Sequence, residues 1–289
     1  MGFLTYLFFI SAIYEILAIF LIPFLHLTAM ILIVVSFISI IYGILHAKKI
    51  TLKNIEIKLP NLSAAWLDRK AIWISDLHLG QINGPSFTEK VANMVQALRP
   101  DIIFIGGDLF DGTKAIDLKK SIAPLKKLTP PLGVYFISGN HEEFGNSEMF
   151  FKAVRDIGIR TLVDEIADVD GLQIIGVDYK NSRKREKFRE ILSNLSIDRS
   201  KPSILLKHEP KDLDVASGAG VTFQISGHTH QGQMMPFGYI ASLIYKGYSY
   251  GFKKFRNMQV LVSSGTGTWG PPIRIGTDSE IVILKFSQK

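Results

Sequence analysis

Five short apolar runs each end on an aspartate, asparagine or histidine, and nothing else in the sequence constrains the fold as tightly. Ala-Ile-Trp-Ile-Ser leads into Asp76-Leu77-His78, and Ile-Ile-Phe-Ile-Gly-Gly leads into Asp108, with Asp111 three residues on. Val-Tyr-Phe-Ile-Ser-Gly leads into Asn140-His141-Glu142, Ile-Leu-Leu-Lys into His208, and Phe-Gln-Ile-Ser-Gly into His228-Thr229-His230. Runs of this length, bounded by glycine and polar residues, predict buried strands. In full, strand-type runs fall at 71–74, 102–105, 134–137, 172–177, 204–206, 221–225, 260–262 and 281–284, and alternation over 51–59 predicts an edge strand. Helical stretches near 86–98, 115–128, 147–157 and 183–195 separate several of them. Strands alternating with helices predict an α/β architecture. The later strands follow one another with little helix between, so the expectation is two packed sheets flanked by helices, an α/β/β/α sandwich.

Sites in α/β sheets form beyond the carboxyl ends of strands, and five of the seven histidines fall there. Carboxylate, amide oxygen and imidazole together suit divalent cations such as Mn, Fe, Zn or Co. There are no cysteines, which excludes disulfides and thiolate metal sites without deciding the compartment. In Asp76-x-His78 and His228-x-His230, alternate residues of an extended segment face the same way, so each pair is expected to converge on one site. Gly106, Gly107, Gly139 and Gly227 stand beside these residues and permit close backbone approach. Scattered core or surface polar residues would not give five strand-terminal placements in one chain.

The ordered series Asp-x-His, Gly-Asp-x-x-Asp, Gly-Asn-His-Glu, His and Gly-His-x-His resembles the calcineurin-like metallophosphoesterase superfamily, over about residues 70–286. Gly-His-Thr-His-Gln-Gly-Gln, then Pro236, then Gly-Thr-Gly-Thr-Trp-Gly-Pro-Pro-Ile-Arg is similar to its small membrane-associated bacterial branch. Gln231 stands where many relatives of that branch have glycine, and adds a side chain beside the metals that can narrow the pocket or touch substrate. The resemblance implies two divalent metal ions, Mn favoured among Mn, Fe, Zn and Co. Asp76, His78 and His230 would hold one, Asn140, His208 and His228 the other, and Asp108 would bridge them. It implies hydrolysis of a phosphate ester by metal-bound hydroxide, two ions ~3.5–4 Å apart clamping the attacking and leaving oxygens. His141, just outside the metal shell, would stabilise developing charge or protonate the leaving oxygen. Asp111 would fix the tautomer of His141 through its carboxylate, unless it simply caps a turn.

Composition adds the membrane. Apolar residues make up 47% of the chain, with a mean hydropathy of +0.22. The excess is concentrated at the start: between residues 3 and 45 only Glu15 and His26 can carry charge. The chain therefore divides into an anchor over 1–47 and a catalytic domain over 48–289. About 20 apolar residues suffice for one crossing. Pro23 and Leu25-His26-Leu27-Thr28 split the run into two expected spans, about 3–23 and 28–46, joined by a tight hairpin. No Lys or Arg precedes the run and no small-x-small site follows it, so a signal peptide fits poorly. Lys48, Lys49 and Lys53 follow the second span and place the domain on the cytoplasmic side of the cell membrane. His26 sits at the hairpin where water can reach it; Glu15 is left for a partner helix or a second copy.

The net charge of +7 suits either anionic lipid or nucleic acid. The apolar spans favour membrane lipid, and nucleic acid is not expected as a partner. The densest basic run, residues 180–189, is equally well explained as a solvated helix face. Residues 234–255 are apolar and aromatic, carry Lys246, Lys253 and Lys254, and begin just after His230. They suit a membrane-facing rim or packing on the core. Arg274 is a candidate contact to a substrate phosphate or an ordinary surface arginine. Asp178 either lines the cleft or is an ordinary loop aspartate. The leading expectation for substrate is a phosphodiester or pyrophosphate of a lipid, or of a nucleotide-linked lipid, at the membrane. A membrane-anchored phosphatase or nucleotidase on soluble substrates, and a non-catalytic scaffold, are the alternatives; the intact ligand set argues against the last.

Overall fold

The structure is a computed structural model, and it describes residues 2–18, 25–112, 117–144 and 147–288. Two apolar helices open it, α1 (Gly2–Ala18) and α2 (Leu25–Ala47), and they pack against each other. His26–Ala47 is long and apolar enough to cross a membrane; α1 is shorter. The expected turn at Pro23 and the end of the first expected span lie outside the described residues. Among the described residues, one spanning-length helix therefore stands where two spans were expected.

The remaining elements follow in chain order. They are β1 (Ile50–Leu59), β2 (Lys70–Ile74), α3 (Pro85–Ala97), β3 (Ile102–Ile105), α4 (Leu118–Ile122) and β4 (Val134–Phe136). Next come α5 (Ser147–Asp156), β5 (Arg160–Thr161), β6 (Glu165–Val169), β7 (Leu172–Gly176), α6 (Tyr179–Ser182) and α7 (Arg185–Asn194). The chain closes with β8 (Ser203–Leu206), α8 (Leu213–Ala219), β9 (Phe223–Ser226), α9 (Phe237–Ile244), β10 (Gly251–Phe255), β11 (Met258–Val262) and β12 (Ser279–Gln288). Part of the helix expected near 115–128 lies outside the described residues, and its remainder is α4 followed by a 3-10 turn, Ala123–Lys127.

Two six-stranded sheets result, ordered β1-β12-β2-β3-β4-β5 and β10-β11-β9-β8-β7-β6. β2 to β5 run parallel, and so do β7, β8, β9 and β11. The expected edge strand is β1, parallel to β12 from Ile50↔Ser279 to Leu59↔Gln288.

Side chains alternate across each strand, and this separates three apolar layers. Trp73, Phe104, Ile174, Leu206, Phe223 and Val282 fill the space between the sheets. Ile72, Ile74, Ile103 and Ile105 face the opposite way, under α3 and α5. Leu205 and Val260 meet Phe188 of α7 and Ala216 of α8 beneath the second sheet. The order helix, sheet, sheet, helix is the expected sandwich. Parallel strands buried on both faces carry no polar alternation, which is why β3 reads Ile-Ile-Phe-Ile without a polar residue.

Candidate metal centre

The five ligand-bearing segments leave the carboxyl ends of β2, β3 and β4 in one sheet and β8 and β9 in the other. The sandwich brings those ends together. Asp76, His78 and His230 form one group able to hold a cation, Asp108, His208 and His228 another, and His78, Asp108 and His141 a third that links them. These side chains are buried except that of His228, which is partly exposed.

Asp76, Asp108 and His208 are each aimed by hydrogen bonds. Asp108 accepts the backbone N–H of His141 on Oδ1 at 2.9 Å, which leaves Oδ2 3.3 Å from His208 Nε2 and 3.8 Å from His78 Nε2. Asp76 accepts the N–H of His228 at 2.9 Å and the hydroxyl of Ser75 at 2.5 Å. The Nδ1 of His208 lies 2.7 Å from the Gly106 carbonyl, so Nδ1 carries a proton and Nε2 is turned toward Asp108 and His228. His228 turns Nδ1 inward, 3.2 Å from His208 Nε2, with Glu209 Oε1 3.7 Å from its outer nitrogen.

The donors fit divalent cations. Two ligand nitrogens at about 2.1 Å from one ion and at right angles stand about 3 Å apart. His78 Nε2 and His230 Nε2 are 3.0 Å apart, a separation two neutral imidazoles adopt readily around a shared cation. Asn140 Oδ1 is buried with no hydrogen-bond partner. A buried unpaired amide oxygen is costly, and a cation supplies what it lacks.

Electrostatics follow the burial. For Asp108, burial favours the neutral acid, but His208, His78 and His141 outweigh it and hold the carboxyl well below the usual range. For His208, burial opposes the charged ring, but Asp108 and Asp76 dominate and raise it to about 10. Burial, together with His78 and Arg274, keeps His230 neutral. Lone pairs on neutral imidazoles are what a metal needs.

Three expectations need correction. Asp76, His78, His228 and His230 are not on extended segments: their φ angles are 55°, 47°, 71° and 47°, in the left-handed region. Asp76 and His78 still converge, but His228 and His230 part, one to each group. Second, the Asp111 carboxylate does not hold His141. The Asp111 carbonyl does, 3.2 Å from Nδ1, while its Oδ1 stands 3.7 Å from both His141 Nδ1 and His78 Nδ1. Third, Arg274 is not a surface contact for phosphate. It is fully buried, and its Nη2 donates to the carbonyls of Ser264 and Gly267 at 2.7 Å while lying 3.3 Å from His230 Nδ1. Asp178 is likewise buried and accepts the Ser138 hydroxyl at 2.5 Å. Gln231 is half-buried at φ 53°, a conformation that glycine adopts without strain.

Glu142 is the residue that sequence reasoning undervalued. It is fully buried and accepts the N–H groups of Asp108 at 2.9 Å, Gly139 at 2.6 Å and Phe110 at 3.1 Å. One carboxylate thus ties the β3 loop to the β4 loop. Burial, with Asp108 adding to it, pushes its carboxyl up to about 7. The signal was its place beside His141 in a glycine-rich turn whose amides need acceptors.

A family model described as calcineurin-like phosphoesterase matches residues 70–232. An uncharacterized metallophosphoesterase of Campylobacter jejuni is 33% identical over 89% of this chain and 69% of its own length. This chain belongs to the calcineurin-like phosphoesterase family. A transmembrane protein with metallophosphoesterase domain from Danio rerio is 28% identical over 88% of this chain, which spans 62% of that relative's length. Among solved structures, a dimetal phosphatase from Danio rerio aligns with a TM-score of 0.46 and 11% identity, over 71% of this chain and 89% of that one. Membership in the calcineurin-like phosphoesterase family carries the reaction class, hydrolysis of a phosphoric ester.

Proposed function

We propose that this chain is a two-metal phosphoester hydrolase working at a membrane surface, on a phosphodiester or pyrophosphate of a lipid or nucleotide-linked lipid. The three overlapping groups of buried imidazoles and carboxylates carry the metal part, and the buried, unpartnered Asn140 Oδ1 in the adjoining β4 loop supports it. Asp76, His78 and His230 would hold one cation and Asn140, His208 and His228 the other, with Asp108 between. Two divalent ions bound there supply an activated water and neutralise phosphate charge.

The chain's own residues do the rest. His141 gives its Nδ1–H to the Asp111 carbonyl, so Nε2 is the atom that moves a proton at the leaving oxygen. His141 is flanked by two exposed aromatic rings, Phe144 at 4.7 Å and Trp269 at 6.5 Å between centroids. They are placed to hold an apolar or planar leaving group. The lipid part rests on these rings, on the apolar N-terminal helix and on the basic balance. We assign residues 1–47 to the anchor and 48–289 to the catalytic domain, on the cytoplasmic face by Lys48, Lys49 and Lys53.

The test is hydrolysis of bis(p-nitrophenyl) phosphate with Mn²⁺ by the purified full chain and by Asp108→Asn. Metal-dependent turnover that vanishes in the variant is expected. No turnover with two metals bound per chain would reject the diesterase reading. Lipid pyrophosphates in nanodiscs should be turned over faster than a soluble nucleotide; the reverse order would favour a nucleotidase.

A further inference from the structure

Helix α9 stands out because none of its residues is buried, although Phe-Gly-Tyr-Ile-Ala-Ser-Leu-Ile contains no charge. Tyr239, Ile240, Leu243 and Ile244 are exposed, Leu243 at 80%. A cluster of large apolar side chains left open on a soluble face is unusual and marks an interaction surface. The helix begins seven residues after the candidate ligand His230. It ends at Tyr245, whose hydroxyl donates to Glu209 Oε1 at 3.1 Å, and that same oxygen lies 3.7 Å from His228 Nε2. An exposed apolar helix is therefore linked to the metal centre through two side chains.

Its position says what covers it. Phe237 packs edge-on against Phe9 of α1, at 5.9 Å between ring centroids. Ile273 and Ile275, next to the α9 approach through the Met234–Ile275 bridge, press against Gly43 of α2. The apolar surface of α9 is thus continuous with that of the two N-terminal helices, one of them of bilayer-spanning length. Beyond its end, Lys246, Lys253, Lys254 and Arg256 are exposed, a basic margin that suits anionic headgroups.

We propose that α9 lies in the bilayer as a second, monotopic contact beside the metal centre, so that lipid is its occupant. The aromatic and aliphatic side chains enter the acyl boundary while the lysine margin meets headgroups. This deepens the proposed function by giving a lipid substrate a route to the site, but the placement itself needs no turnover.

The absence of cysteine makes the measurement clean. A single Leu243→Cys, labelled with an environment-sensitive nitrobenzoxadiazole dye, is placed in nanodiscs of phosphatidylcholine and phosphatidylglycerol. Lys152→Cys, exposed on α5, is the control. At position 243 we expect blue-shifted emission and severalfold quenching by doxyl-labelled lipids; at 152 we expect neither. Equal, water-like emission at both positions overturns the proposal. So does a shielded dye at 243 that doxyl lipids do not quench, since a protein surface such as a second copy would then cover α9. Repeating the measurement in Asp108→Asn should change nothing, so failure of catalysis and failure of insertion are read separately.

Discussion

Glu142 and His141 are neighbours with opposite duties. Glu142 accepts three backbone N–H groups, one of them that of Asp108, and belongs to none of the cation-holding groups, so Glu142→Ala should weaken Mn²⁺ binding about 10–100-fold, as loss of outer-shell partners does; titration calorimetry would show it. His141→Ala should leave metal content unchanged and lower kcat about 10²–10⁴-fold, the usual worth of one positioned acid. Loss of both metals in that variant would make His141 a ligand instead. The ligand residues were legible because each closes an apolar run. Arg274 was not. Its Gly-Pro-Pro-Ile-Arg setting looks like surface loop, yet four acceptors, including three carbonyls of residues 264–267, surround its buried guanidinium. A pattern of residue types does not reveal that the chain folds back to bring the carbonyls of Ser264, Gly265 and Gly267 onto the guanidinium.

At the scale of elements, strands with both faces buried were legible and short edge strands were not. β3 was predicted to the residue, whereas β5 has two residues and β10 is largely exposed. α9 was missed as a helix because it has only eight residues and no charged one, and pattern alone does not tell so short an apolar run from a strand. The intersheet layer makes its own prediction. Phe104 is fully buried there, and Phe104→Ala should lose about 3–5 kcal/mol of stability, read from the urea midpoint. The glycines that end the strands are equally constrained. A Cβ on Gly139 would stand 2.2 Å from Asp108 Oδ1, so Gly139→Ala should displace the Asp108 carboxylate and abolish turnover while the protein still folds by circular dichroism. Unimpaired turnover would mean that Asp108 has freedom the packing denies.

For the whole molecule, the seven residues of the three cation-holding groups follow strands of two different sheets, which are joined through the intersheet layer. A cation bound there cross-links the two halves. With Mn²⁺ at 100 times its dissociation constant, the catalytic domain should gain about 2.7 kcal/mol, visible as a rise in Tm that Asp108→Asn lacks. The long apolar helix α2 was legible from composition alone, because an uncharged run of about 20 residues has the length a bilayer crossing requires. How it meets the domain was not, since that depends on residues far apart in sequence: the Gly43 carbonyl accepts the Arg274 N–H at 3.0 Å, its missing Cβ leaves room for Ile273, and His46 Nε2 lies 2.7 Å from Asp278 Oδ1.

Those contacts fix a height. α2 ends at Ala47 and β1 begins at Ile50, so almost no chain lies between them to act as a tether, and Arg274 clamps the junction from within the domain. With α2 in a bilayer, the metal centre cannot bob or swivel; it stands at one set level above the acyl boundary, as the head of a surveyor's staff stands above the ground. For the proposed lipid substrate, a phosphate would then be admitted or refused by how far its own lipid holds it out of the membrane, before any contact with its headgroup is made.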